Sequence, residues 1–342
     1  MPRERIGSTE SSEKIDYLNA SFVVPGQASQ KVGMGEGLFK QSKAAREVFG
    51  RVDDALKFKL SELMFHGPED KLRDTVNAQP AILTLAVATF EALKEQLGND
   101  MIKPKVVAGH SAGEYPILVI TGALDLENGA QLVRTRGELM QEASLKTPGT
   151  MAAIIGLNKS HLEYICEETG VELANINTDD QMVISGRKIQ IANALDFAYT
   201  FASRQGIQIK RVPLPVSGAF HSSLMESAKQ GLQNTISSFD FQDPITPILA
   251  NSYPRPLTTK YDVKDELVEG LCLPVNWRDT VRLMANKGIT TVIELGPKVL
   301  SGMVNRIDPN LRTFTIDSFE SAINFASLLS QQPANRNNPL TA

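Results

Sequence analysis

Residues 106–114 read VVAGHSAGE and place Ser111 between two glycines in the pattern G-x-S-x-G. A serine hydroxyl attacks an acyl carbonyl only when it is exposed and a base takes its proton. G-x-S-x-G between a buried strand and a helix is the setting of a nucleophile elbow. The glycines allow a sharp turn, and the serine is presented at the carboxyl end of the strand. The helix that follows offers free N–H groups and a positive dipole end to a developing oxyanion. An ordinary strand-to-helix turn is the competing reading. Four histidines are available as the base. His110 is Ser111's own neighbour and should point elsewhere. His161 lies in the charged stretch KSHLEYICEE and reads as solvated, and His66 lies in the polar turn FHGPEDK. His221, in PVSGAFHSSLM, sits at a strand-to-helix junction, where the loops of an α/β sheet gather functional groups, and is the best candidate base. A helix-capping or buried structural histidine is the alternative there. No acid completes a triad legibly. Asp125, Asp179, Asp180 and Asp196 lack distinctive context, and a backbone carbonyl orients an imidazole equally well.

Two further segments bear on the same chemistry. FVVPGQASQ (residues 22–30) ends a strand in a Pro-Gly turn followed by Gln, Ser and Gln and could set backbone N–H groups beside the serine; on these residues alone a plain turn is the favoured reading. LVRTRGELM carries Arg134 and Arg136 on one helix, pointing in different directions, so only one can face a site. Cys166 and Cys272 are too few for a disulfide framework or a CxxC site, and no HExxH is present, so no metal is expected.

The elements that must position these residues alternate. Strands are expected at 20–25 and 105–108, and helices at 36–49, 79–97, from 112, and 126–145. That order indicates a parallel α/β sheet covered on both faces. The pattern changes near Thr147-Pro148-Gly149. Strands at 151–156, 171–176, 181–185 and 207–212 and helices at 159–169 and 189–204 run β-α-β-β-α-β, a ferredoxin-like insert. The first pattern resumes with a helix near Ser222, a strand at 247–251, helices at 263–271 and 277–287, and strands at 291–295 and 313–316. The expected fold is α/β: a large α/β-hydrolase-like subdomain (20–147 and 214–330) with a smaller ferredoxin-like one (148–213) inserted. Residues 1–19 and 331–342 are read as polar tails.

The 342 residues are 42% hydrophobic and 22% charged, ordinary for a globular chain with a real core. The net charge of −4 demotes nucleic acid as a partner. The apolar run 81–90 is far short of a membrane span, and no secretory signal is read at the start. A cytoplasmic, monomeric protein with no membrane partner is expected.

Taken together, PGQASQKVGMG, NAQPAILTLAV, GHSAGEYPILVITGALD, RTRGELMQEA, NINTDDQMVISG, SGAFHSSLM, LPVNWRDTV and ELGPKVLSGMV resemble, in order and over residues 22–316, the malonyl-CoA:acyl-carrier-protein transacylases. That family includes the stand-alone component of fatty-acid synthesis and the acyltransferases of polyketide synthesis. The resemblance implies transfer of a malonyl group from malonyl-CoA to an acyl carrier protein, without metal or redox cofactor, in either pathway. By position it implies Ser111 as the acylated nucleophile and His221 as its base. It implies the Gln27 and Ala112 N–H groups as the oxyanion hole and Arg136 as the clamp on the malonyl carboxylate. The Gly270 carbonyl is implied to orient the histidine, and Phe220 to exclude an α-methyl group; a core aromatic whose ring points away from the substrate is the alternative for Phe220. Lys210, Arg211, Lys298 and Arg306 are candidates for docking an acidic carrier. The chain departs from the family at Ala28 (usually Gly), Ala112 (often Leu), Pro116 in the elbow helix, Gly270 (often Gln) and Gly296-Pro297-Lys298, one glycine short. An acyl-thioester hydrolase on the same fold is the alternative function, which Arg136 would not serve if the acyl chain were neutral. A non-catalytic carrier-binding scaffold is the third reading, and the presence of both Ser111 and His221 argues against it.

Overall fold

The computed structural model describes residues 15–98 and 102–331. In chain order, β1 (Ala20–Val24) leads to five helices: α1 (Glu36–Gln41), α2 (Lys43–Leu56), α3 (Leu60–His66), α4 (Glu69–Arg73) and α5 (Thr75–Leu97). Then come β2 (Val106–Gly109), α6 (Glu114–Ile120) and α7 (Leu126–Lys146). The next segment holds β3 (Gly149–Ile155), α8 (Lys159–Thr169), β4 (Glu172–Ile176), β5 (Gln181–Arg187), α9 (Lys188–Arg204) and β6 (Lys210–Pro213). The chain closes with α10 (Glu226–Ile236), β7 (Ile248–Leu249), β8 (Pro256–Leu257), α11 (Lys260–Glu269), α12 (Trp277–Asn286), β9 (Thr291–Leu295), α13 (Leu300–Ile307), β10 (Arg312–Ile316) and α14 (Phe319–Ser330).

The strands form two sheets. The larger runs β10-β9-β1-β2-β7-β8. Its first five strands are parallel, and β1 and β9 are buried throughout, as suits strands with helices on both faces. The sheet is not wholly parallel: β8 returns antiparallel on β7 through a short turn, which only an antiparallel pair permits. From β1 the chain reaches β2 on one side and β9 on the other. The order thus reverses between β1 and β9, and the loops that follow the adjacent strands β1 and β2 lie side by side at the carboxyl edge of the sheet, where functional groups gather. The smaller sheet runs β4-β5-β3-β6, all antiparallel, with α8 and α9 over its own core of Ile154, Leu162, Ile184 and Ile191. This is the ferredoxin-like order read from the sequence.

Several local expectations change. The single helix expected over 36–49 breaks at Ser42, whose hydroxyl accepts the Ala45 N–H (3.0 Å) and starts α2 afresh. The helix expected from 79 begins at Thr75 and runs through Pro80 inside the core. It is long and apolar enough to cross a bilayer, but 83% of its apolar window is buried in the protein. The strand expected at 247–251 shortens to β7, because Asn251 turns its amide toward the serine loop. The sequence reading does not anticipate α3, α4, α13 or α14; the first two, at seven and five residues, are too short for periodicity to show. The buried Glu294 at the end of β9 starts α13: its carboxylate accepts the N–H groups of Val299 (2.8 Å), Leu300 (2.6 Å) and Ser301 (3.0 Å).

The tail expected over 1–19 does not extend that far. Ile15 is buried in the core, and the Asp16 carboxylate accepts from Asn19 Nδ2 (2.7 Å) and Thr290 Oγ (3.0 Å). Tyr17–Asn19 form one turn of 3-10 helix, while residues 1–14, and 332–342 of the other tail, lie outside the described residues.

Candidate active site

The loops after β1 and β2 meet. Gly113 and Gly26 are required at that contact: a Cβ at Gly113 would lie 2.2 Å from the Val24 carbonyl oxygen, and one at Gly26 would lie 2.5 Å from that of His110. The glycines thus bring the Pro25-Gly26-Gln27 turn against the elbow. Ser111 opens a one-turn 3-10 helix, Ser111–Gly113, with φ of 53°. A left-handed serine is a strained conformation that persists only when its surroundings enforce it. Pro116 falls in the first turn of α6, where a missing N–H costs little.

His221 reaches Ser111 from the segment after β6. Its Nε2 lies 2.7 Å from Ser111 Oγ, and its own φ is 56°. Its Nδ1 lies 2.8 Å from the Gly270 carbonyl and 3.1 Å from that of Leu273. Two carbonyls are acceptors only, so Nδ1 carries the proton and Nε2 is free to take one from Oγ. None of the four aspartates considered as a third member serves His221. Asp125 caps α7 (2.7 Å to the Asn128 N–H), Asp179 pairs with Arg282 (2.9 Å), Asp180 with Arg306 (2.6 Å) and Asp196 with Arg211 (3.2 Å).

Burial, and after it the Arg136 guanidinium, push the His221 imidazole from 6.5 down to about 3, against the pull of the two carbonyls. The neutral imidazole is the base form, so lowering the pH through 6.5 should not disarm it. The kcat/KM for acylation by malonyl-CoA is expected to stay within about threefold between roughly pH 7.5 and 5. An acid limb centred near 6.5 would show an unperturbed base. In an unfolded chain this histidine takes up a proton near its ordinary value. Its contribution to stability is therefore full above 6.5 and is lost as the pH falls toward 3.

Arg136, on α7, is 4% exposed. Its guanidinium donates to Gln79 Oε1 (2.8 Å) and lies 3.3 Å from Ser111 Oγ, with its carbon 5.5 Å from the Tyr115 ring centre. Among the described residues no carboxylate lies within 4.0 Å of it. The acid that acts on it from farther off, Glu114 on α6, is itself buried and pushed well above the usual carboxylate range by that burial. A buried guanidinium without a paired carboxylate is costly unless an anion joins it. Arg134, two residues earlier, turns to Asn77 (2.9 Å) and Glu138 (3.1 Å), away from the serine.

The first N–H groups of a helix have no intrahelical acceptor, which leaves the Ala112 N–H open beside Ser111. The Ser111 N–H is occupied by Asn251 Oδ1 (2.7 Å), while Asn251 Nδ2 donates to the Gly109 carbonyl (2.7 Å). Gln27, in the adjoining turn, donates its side-chain N–H to Thr75 Oγ (3.3 Å). Ala28 has φ of 75°, a conformation that favours glycine; a Cβ in that region costs about 1–2 kcal/mol. The Phe220 ring is buried in the main core and lies over Gly218, where a Cβ would come within 2.5 Å of it.

His110 does point away from the hydroxyl, to Asn177 Oδ1 (3.0 Å). His161 is not solvated as its charged neighbours imply: its ring lies on Phe201 (5.2 Å) and its Nδ1 is buried without a partner. His66 ends α3 rather than lying in a turn, and faces Glu62 (3.7 Å). Burial pushes the thiols of Cys166 and Cys272 up to about 12, so neither is a ready nucleophile. Among the described residues no group of three or more His, Cys, Asp or Glu side chains could hold a metal. Gln79, Asn251 and the Leu273 carbonyl are parts of the site that sequence reasoning missed. Gln79 stands in NAQPAILTLAV, one of the motifs that carry the resemblance, and that was its available signal.

The chain matches the acyl transferase domain family over residues 21–308. It is 39% identical over 307 residues to the malonyl CoA-acyl carrier protein transacylase of Bacillus subtilis (strain 168), covering 88% of this chain and 94% of that protein. The crystal structure of acyl-carrier-protein S-malonyltransferase from Bartonella henselae is similar at TM-score 0.85 and 38% identity, covering 92% of this chain and all of that one. A malonyl-transacylase solved in complex with its type II polyketide-synthase acyl-carrier protein is similar at TM-score 0.84 and 32% identity, covering 90% and 99%.

Proposed function

Because the chain belongs to the malonyl-CoA:acyl-carrier-protein transacylases of the acyl transferase domain family, and transfers malonyl groups from malonyl-CoA to an acyl carrier protein in fatty-acid or polyketide biosynthesis, we propose that the transfer runs through a malonyl ester of Ser111. Malonyl-CoA enters with its free carboxylate on Arg136, whose planar fork suits bidentate binding. Nε2 of His221 takes the Ser111 proton as Oγ attacks the thioester carbon. The oxyanion rests on the Gln27 and Ala112 N–H groups. On collapse the carbon–sulfur bond breaks, and the CoA sulfur leaves with the proton held on His221. The phosphopantetheine thiol of the carrier then gives its proton to His221, attacks the ester, and Ser111 recovers a proton as it leaves. Every step moves a proton or an acyl group, so no metal or redox cofactor is required.

The observation that supports this reading over thioester hydrolysis is Arg136, buried, with no carboxylate within 4.0 Å among the described residues and 3.3 Å from the nucleophile. A hydrolase of neutral acyl chains gains nothing from that charge. The test is to supply malonyl-CoA with phosphopantetheinylated carrier protein and follow both products. Malonyl-carrier should dominate, and release of free malonate as the main product would favour the hydrolase. In this reading 20–147 with 214–330 forms the catalytic subdomain and 148–213 the smaller one. The protein works as a cytoplasmic monomer.

Of the basic residues considered for carrier docking, Arg211 and Arg306 already hold Asp196 and Asp180. Lys210 and Lys298 are exposed and have no ion-pair partner among the described residues, so they are the better candidates. Reversing both to glutamate is expected to raise the carrier KM about tenfold at low salt and to leave malonyl-CoA hydrolysis unchanged. A carrier KM indifferent to both salt and these substitutions would place the docking surface elsewhere.

Phe220 walls the pocket beside His221 in this reading. Malonyl-CoA should be preferred over methylmalonyl-CoA by roughly 10- to 200-fold in kcat/KM, the usual worth of one excluded methyl group. Phe220→Ser should narrow that preference. Equal use of both thioesters by the unmodified enzyme would remove Phe220 as a gate.

A further inference from the structure

Asn251 is 3% exposed and lies 140 positions along the chain from Ser111, yet its amide spans the elbow. Oδ1 accepts the Ser111 N–H at 2.7 Å and Nδ2 donates to the Gly109 carbonyl at 2.7 Å. The amide thus pairs with the elbow backbone as a neighbouring strand would, at the point where β7 has ended and can no longer do so. Asn251 is itself held. Its N–H donates to Glu266 Oε1 (2.9 Å), which also accepts the Ser252 N–H (2.8 Å), and its carbonyl accepts the Asn276 N–H (2.7 Å). Glu266 Oε2 accepts from Ser252 Oγ (2.7 Å), so both carboxylate oxygens are engaged.

Two consequences follow from the geometry. Ser111 stands at φ 53°, a conformation that relaxes unless its flanking peptide groups are tied. Its N–H is also taken out of service as an oxyanion donor, so the oxyanion must lie toward the Gln27 and Ala112 N–H groups instead. We propose that Asn251 is a positioning residue for acyl transfer, which fixes the Ser111 backbone and so sets where the oxyanion forms. The proposal rests on acylation of Ser111. The unmodified protein, assayed alongside, separates failure of that reading from failure of this one.

Asn251→Ala leaves the Ser111 N–H and the Gly109 carbonyl unpaired and the elbow free to shift. Misplacement of a reacting group by about 1 Å costs on the order of 10²-fold, and that loss is expected in the acylation rate. The KM for malonyl-CoA should stay within about threefold, because Arg136 and Gln79 are untouched. A burst titration separates positioning from mere structural support. Positioning predicts one acylatable site per folded chain, acylated slowly. A structural role predicts fewer active chains, each acylated at the normal rate, and would overturn the proposal, as would an unchanged rate.

Asn251→Asp provides a second readout and carries the test if the alanine variant does not fold. A protonated carboxyl can accept from Ser111 and donate to Gly109 as the amide does, whereas a carboxylate can only accept. The groups around that position are Glu266 on α11, Glu114 on α6, Arg136 on α7, and His110 and His221. Burial and the Glu266 carboxylate favour the protonated form, Arg136 opposes it, and Glu114, pushed well above the usual carboxylate range by its own burial, adds little charge. The acylation rate of this variant is expected to climb about tenfold from pH 8 to 5.5, as protonation restores the second bond, while the unmodified enzyme stays flat. A flat profile for the variant, or failure of the variant to fold at any pH, would overturn the proposal.

Discussion

Alanine at Ser111 is expected to leave the protein folded, able to bind malonyl-CoA, and unable to form an acyl-enzyme. The substitution removes one hydroxyl, hydrogen-bonded to His221 Nε2 at 2.7 Å and lying 3.3 Å from Arg136. The Asn251 amide still ties the backbone, because its bond is to the Ser111 N–H. The loss in carrier malonylation should be on the order of 10⁶-fold, the scale seen when a serine nucleophile is removed from a site whose other parts stay in place. Equilibrium binding of malonyl-CoA should change little, since the carboxylate still meets Arg136. Rapid-quench assays of acylation, with calorimetric titration of malonyl-CoA, separate the two effects. Acylation surviving within about tenfold would mean that another group is the nucleophile.

Arg136→Ala should produce the second-largest effect, and it should be selective. Removing one partner of a buried ion pair costs about 3–5 kcal/mol, or roughly 150- to 5,000-fold in kcat/KM for malonyl-CoA. Acetyl-CoA brings no carboxylate, so its use should fall far less and its use relative to malonyl-CoA should rise. Gln79 would lose its bond to the guanidinium, and that adjustment falls on both substrates alike. Competition between the two thioesters reads the preference directly. An unchanged malonyl-to-acetyl ratio would show that the carboxylate is held elsewhere.

What the sequence revealed, and what it hid, follows from how local each feature is. The elbow is written in consecutive residues: Gly113 is needed against the Val24 carbonyl, and Ser111 takes its unusual φ within the same motif. The β-α-β-β-α-β order of 149–213 was readable because each strand and helix repeats its own period. His221 stood out at its strand-to-helix junction. Arg136 and Arg134 were not distinguishable by spacing; the choice came from the family's R-G pair, and the structure sets one beside Ser111 and the other beside Glu138.

The missed features are contacts between distant segments. Asn251 follows a strand of only two residues, and its partners are at 109 and 111, so no local pattern marks it. The Leu273 carbonyl is invisible because any residue offers one. Ser42 looked like one position in a helix from 36, and only the capping bond to Ala45 shows that it divides two. His161 was misread because charged neighbours on a helix say nothing about the one face that packs against Phe201.

The most direct measurement of transfer through Ser111 is to mix the unmodified protein with malonyl-CoA, quench, and map the product by intact mass and peptide mass spectrometry. The expected result is a single malonyl group on the peptide that contains Ser111. It should be lost on addition of phosphopantetheinylated carrier protein as an equal amount of malonyl-carrier appears. A malonyl group on any other peptide, carrier malonylation with no acyl-enzyme formed, or loss of the group only to water would contradict it.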